Sequence, residues 1–131
     1  MPSVTALYAG LCALLIAALA LRVTSRRQQF RIGMGDDNNA ALRVAVRAHA
    51  NAVEYIPIAL ILLLLAELNG AAASVLHAAG SLFFGGRLAH VWGFVHAGGG
   101  YSRLRVAGIA SNLVVILALA ALNIAYALKG A

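Results

Sequence analysis

Charge is scarce in this chain. Charged residues make up 11% of its 131 positions, and only four of them are acidic: Asp36, Asp37, Glu54 and Glu67. No soluble domain of this size covers its surface with so little charge, so a water-soluble globular protein is excluded. One cysteine, Cys12, lies inside an apolar run, and an intrachain disulfide is excluded with it. Met1-Pro-Ser-Val carries no Lys or Arg ahead of the first apolar run. That argues against a cleaved signal peptide and for a retained first helix.

Several chemistries are missing too. No His-x-x-x-His or carboxylate-plus-His spacing occurs on one helical face, so no metal site is expected. His77 and His90 are out of register on one helix and have no facing partner, so haem is not expected either. No Ser stands beside a His with an acid in reach, which leaves no side-chain nucleophile. Gly98, Gly99 and Gly100 are followed by no Lys-Ser/Thr and are not a phosphate loop.

What the chain has is apolarity. Hydrophobic residues make up 63% and mean hydropathy is +0.88. The pattern predicts an all-α integral membrane protein, a single four-helix transmembrane domain over residues 1–131. Its helices are expected at about 4–23, 40–68, 71–96 and 103–128, each long enough for about 30 Å of hydrocarbon. Arg22, Arg26, Arg27 and Arg31 close the first helix. Any of Asp36, Asp37, Asn38 or Asn39 suits the N-cap of the second, and Asn69-Gly70 turns the chain into the third. The net charge of +6 comes from arginines beside membrane-length segments. Positive-inside topology explains them better than nucleic-acid binding. Both basic loops then face the cytoplasm and both termini the far side.

The most informative stretch is Arg43-Val-Ala-Val-Arg47-Ala-His49-Ala-Asn51-Ala-Val-Glu54-Tyr55-Ile-Pro57, which runs straight into an apolar run ending at Ala66. Arg43, Arg47, Asn51 and Glu54 fall within an arc of roughly 80° on one helix, with Tyr55 at its edge and His49 opposite. Ionisable groups at membrane depth are costly and must face a partner, a cavity or a ligand. Two readings follow. Glu54 is neutralised by Arg47 or Arg87 in a structural network, or the surplus of arginine over carboxylate holds an anion.

Arg47-Ala48-x-x-Asn51-x-x-Glu54-Tyr55-x-Pro57 resembles the helix 2 signature of the MAPEG family, membrane-associated proteins in eicosanoid and glutathione metabolism. Six signature residues stand at the right spacing. Arg87-Leu-Ala-His90-Val-Trp-Gly93-Phe94 and Arg105-Val-Ala-Gly108 extend the likeness over the whole chain, nearest to the small bacterial members. The resemblance implies a four-helix bundle assembled as a homotrimer in the bacterial inner membrane, in contact with lipid. It implies glutathione as cosubstrate between subunits near the cytoplasmic face. Carried over residue by residue, Arg47, Asn51, Glu54 and Tyr55 hold glutathione, with Arg26 or Arg27 assisting and Arg87 and His90 on the third helix in the same set. Arg105 stabilises the thiolate. Positions often tyrosine in enzymatic members are His90 and Phe94 here, and His49 replaces an amide seen in some. The activity implied is that of a membrane-bound glutathione transferase or peroxidase acting on lipophilic electrophiles or hydroperoxides. Two alternatives stand beside it: a non-catalytic lipid- or small-molecule-binding protein of the same fold, and a small multidrug transporter.

Overall fold

Four helices carry nearly all of residues 1–130, which the computed structural model describes; the expected domain end, Ala131, lies outside the described residues. They are α1 (Ser3–Phe30), α2 (Ala40–Leu68), α3 (Ala73–His96) and α4 (Arg103–Gly130). The described residues contain no strand.

α2 starts and stops at the expected residues. Asn39 supplies the cap, its side-chain oxygen accepting the Leu42 N–H at 3.0 Å, which satisfies one of the free donors of the first turn. α1 runs to Phe30, past the expected end at Val23. Arginine and glutamine are good helix formers, so the basic cluster prolongs the helix beyond its apolar part. It ends where Arg31 turns left-handed at φ 57°. α3 begins two residues later than expected. The left-handed Gly70, at φ 84°, and the bond from Ala71 N–H to the Ala66 carbonyl at 3.0 Å use those residues for the turn.

The helices alternate in direction. At one end Glu67, on the last turn of α2, accepts the Val4 N–H at 2.9 Å and the Thr5 N–H at 2.7 Å. Two free amides of α1 are thereby satisfied, and a carboxylate sits where the helix dipole favours one. Tyr8 donates to the His77 carbonyl at 3.0 Å at the same end. At the other end gather the close of α1, the start of α2, the close of α3 and the start of α4, and with them most of the arginines. α2 and α3 form the centre of the bundle. α1 packs on both, α4 packs on both, and α1 and α4 do not touch.

α1, α2 and α4 are each long and apolar enough to cross a membrane. α3 is less apolar because Arg87, His77, His90, His96 and its glycines interrupt it. Its 24 residues still extend about 36 Å, and it packs on α4 through backbone contact. A methyl group on Gly108 would lie 2.5 Å from the Gly86 carbonyl oxygen and 2.6 Å from the His90 nitrogen. Small residues serve α2 in the same way. Its buried face is Ala45, Ala48, Ala52, Ile56, Ala59, Leu63 and Ala66, and the alanines let neighbouring backbones approach.

Candidate functional site

That alanine face turns the polar stripe of α2 outward. Arg43, Arg47 and Glu54 are exposed on the protomer, Asn51 and Tyr55 are half-buried, and His49 is half-buried on the other side. Glu54 is not neutralised within the protomer. The one ion pair among the described residues joins Arg43 Nε to Asp36 Oδ2 at 2.6 Å. Of the two readings of the stripe, the pairing of Glu54 with Arg47 or Arg87 is therefore absent within the protomer. Arg87 Nη1 donates to Asn51 Oδ1 at 3.0 Å instead.

Arg87 is fully buried, 0% exposed. Its guanidinium lies 5.0 Å from the Tyr55 ring centroid and 5.8 Å from that of Phe83, a cation–π arrangement that replaces some of its lost hydration. Asn51 and Tyr55, one turn apart on α2, thus hold Arg87 between them, while its Nε and Nη2 have no partner. Beside it on α3, Gly86 makes room for Asn112 of α4, also fully buried, with neither amide atom bonded.

Nearer the basic end a second group forms around the glycine loop. Arg105, in the first turn of α4, donates through Nη1 to the Gly99 and Gly100 carbonyls, each at 2.9 Å. Its guanidinium also lies 4.6 Å from the Phe94 ring centroid. His90 stacks on Phe94 with centroids 6.0 Å apart and planes 9° apart, and its Nδ1 lies 3.4 Å from the Arg105 carbonyl. His90 and Phe94, which stand where enzymatic members often have tyrosine, build the platform on which Arg105 rests.

Phe94 and Gly99 also line a cleft of about 300 Å³ with Arg43, Val44 and Arg47. That volume is at the lower end for small-molecule sites. Arg47 and Arg105 therefore meet the same two residues, Arg47 across the cleft and Arg105 from behind. No carboxylate lines the cleft, and the N-termini of α2 and α4 both point at this end with their positive dipoles. Asp36 stays ionised beside it, because the hydrogen bond from Arg43 holds its carboxyl below the usual carboxylate range.

The expected residues thus divide. Arg47 lines the cleft and Arg105 stands behind its wall, and Asn51, Tyr55 and Arg87 make one network. Glu54 stands alone on the surface. Arg26 donates to Gln29 Oε1 at 2.7 Å and lines a neighbouring cleft with Arg22. Arg27 turns into the α1–α2 loop, donating to the Gly35 carbonyl at 3.0 Å. Two functional placements were not legible in the sequence: Glu67 as the cap of α1 and Asn112 as a buried, unbonded amide. Glu67 is 63 residues from Val4, a separation no local pattern encodes.

A membrane-spanning four-helix bundle with arginine networks inside it and a basic cleft at one end defines the class. The chain belongs to the MAPEG family, whose profile matches residues 5–125. It is 40% identical over 123 residues, covering 94% of this chain and 92% of the relative, to the inner membrane protein YecN of Escherichia coli strain K12. The same figures relate it to YecN of Escherichia coli O6:H1 strain CFT073, again 40% over 123 residues.

Proposed function

We propose that this protein binds glutathione along the exposed stripe of α2 and activates it as a thiolate against lipophilic electrophiles or hydroperoxides. The observation that carries the reading is the cleft lined by Arg43 and Arg47, backed by Arg105 and free of lining carboxylates. Glutathione has two carboxylates and one ammonium. Several arginines with a single carboxylate on the stripe, Glu54, complement that set. Arg47 and Glu54 stand about 10 Å apart along the helix axis, near the reach of a three-residue peptide in extended form. Arg105 and the α4 dipole favour the thiolate over the thiol, as cationic neighbours do for cysteine. In the transferase reaction the sulfur forms a thioether with the electrophilic carbon, a leaving group departs with the bonding pair, and the thiol proton goes to solvent. The electrophile reaches the sulfur laterally from the bilayer.

Exposed charges on a membrane helix need a partner, and Glu54 and Arg47 have none within the protomer. This supports a homotrimer in which the stripe faces a neighbouring subunit. The YecN relatives are inner membrane proteins by name, which supports an inner-membrane location. With the arginine-rich end in the cytoplasm, both termini lie outside it, and a reporter fused behind Lys129 is expected to read as exported.

One observation favours the non-catalytic alternative. Arg105 already donates to two carbonyls and rests on Phe94, so it must share its guanidinium to hold a sulfur. Calorimetric titration of the detergent-solubilised protein with glutathione, followed by turnover of a chlorodinitrobenzene-type electrophile, tests both. Heat with turnover is expected. Heat without turnover selects the binding protein, and no heat at millimolar ligand removes glutathione altogether.

A further inference from the structure

Because α1 and α4 do not touch, a strip of α3 lies uncovered between them. Over it runs a groove of about 480 Å³, walled by Leu88, Trp92 and Val95 of α3, Leu104 of α4 and Arg22 of α1. It shares no lining residue with the α2 cleft. Trp92 is 62% exposed and stacks on His96, ring centroids 4.0 Å apart, one turn from the end of α3. Tryptophan in such a position marks the boundary between hydrocarbon and headgroups.

Arg22 gives the groove a polarity. Its Nε is buried and has no hydrogen-bond partner, and a buried donor left unpaired is costly. Arg22 also lines a second cleft of about 300 Å³, with Arg26, Ala40, Val44 and Gly98. Val95 belongs to both. The apolar groove therefore opens at its basic end into a cleft with two arginines, and the unpaired donor sits at the junction. An acyl chain fits the first part, and an anionic head with strong acceptor oxygens fits the second.

We infer that this groove is a specific site for one anionic phospholipid of the surrounding bilayer. Its acyl chain lies along Leu88, Trp92 and Leu104, and its phosphate accepts from Arg22. A bilayer lipid already has its chain in the hydrocarbon and its phosphate at the interface, which matches the order of the two clefts. An anionic phospholipid is preferred to a zwitterionic one because no choline or ethanolamine ammonium competes with the guanidinium. The inference does not rest on glutathione binding.

Trp92 is the only tryptophan in the chain, so its fluorescence reports on this groove alone. The protein is reconstituted into phosphatidylcholine vesicles containing a small fraction of bromine-labelled phosphatidylglycerol or bromine-labelled phosphatidylcholine. Labelled phosphatidylglycerol is expected to quench Trp92 as though enriched about five-fold over its mole fraction, the factor one juxtamembrane arginine supplies. Labelled phosphatidylcholine is expected to quench in proportion to its mole fraction. Arg22→Gln, with its helical circular dichroism unchanged, is expected to bring the phosphatidylglycerol curve down to that proportion. The wild-type comparison decides the matter even where the variant fails to fold. Equal quenching by both headgroups overturns the inference. So does quenching by neither, which means a second copy of the chain covers the groove. Stronger quenching by a bromine-labelled fatty acid overturns it too, because the occupant is then a free carboxylate amphiphile.

Discussion

Arg105 holds a loop and offers a charge, and the two roles separate by substitution. Under the glutathione reading, Arg105→Leu returns the bound thiol towards the free value near 8.5, each unit of that return corresponding to about 1.4 kcal/mol. Arg105→Lys keeps the charge and loses the forked contact to Gly99 and Gly100, so it is expected to keep most of the thiolate while loosening the loop. Thiolate absorbance across a pH series reads both, and an unchanged wild-type curve in Arg105→Leu removes the role. Asp36 gives a second residue-scale test. Its carboxyl is held below the ordinary range by Arg43, so its contribution to loop order is fully present above the unfolded pKa. That contribution is lost as pH falls through the lower, folded one. Asp36→Asn is expected to exchange its loop amides faster than wild type at pH 7, and the two should converge in strong acid. Among single residues, the sequence left two readings of Glu54 open, and the structure removes the ion pair within the protomer. Composition shows that the arginines outnumber the carboxylates, but only the fold shows that Asn51 is the side chain within reach of Arg87.

Helices follow their sequence where local chemistry decides. α2 was legible from end to end because Asn39 can cap it and Asn69-Gly70 must turn. α1 was not, because the arginines that stop membrane insertion are good helix formers and do not stop the helix. The contact of α3 with α4 was legible only as a density of glycines. Which glycine matters depends on the register of the two helices. Gly108→Ala would push a methyl into the backbone of Gly86 and His90, which cannot yield, and is expected to cost about 1–3 kcal/mol. Gly85→Ala meets nothing within 4 Å and is expected to stabilise by up to about 1 kcal/mol through helix propensity. Denaturant unfolding followed by circular dichroism distinguishes them, and equal effects would mean the α3–α4 contact is looser than described.

For the whole molecule, the arrangement of four alternating helices was legible from apolar length and turn residues, and the gap between α1 and α4 was not. The proposed trimer is checked by native mass spectrometry from mild detergent. Three-chain assemblies are expected, and Arg47→Ala within an intact trimer should weaken glutathione by about 1.5–3 kcal/mol. A stable single chain that still binds glutathione would contradict a shared site. The latches on the α1–α2 pair have a further consequence, in biosynthesis. One end is tied by Arg43 to Asp36 and Arg27 to Gly35, the other by Glu67 to Val4 and Thr5. All of these groups lie between residues 4 and 67. A ribosome that has delivered α2 into the bilayer has therefore delivered both ends of a closed hairpin. The first half of the protein can assemble before any of α3, the helix with the buried arginine, has left the translocon.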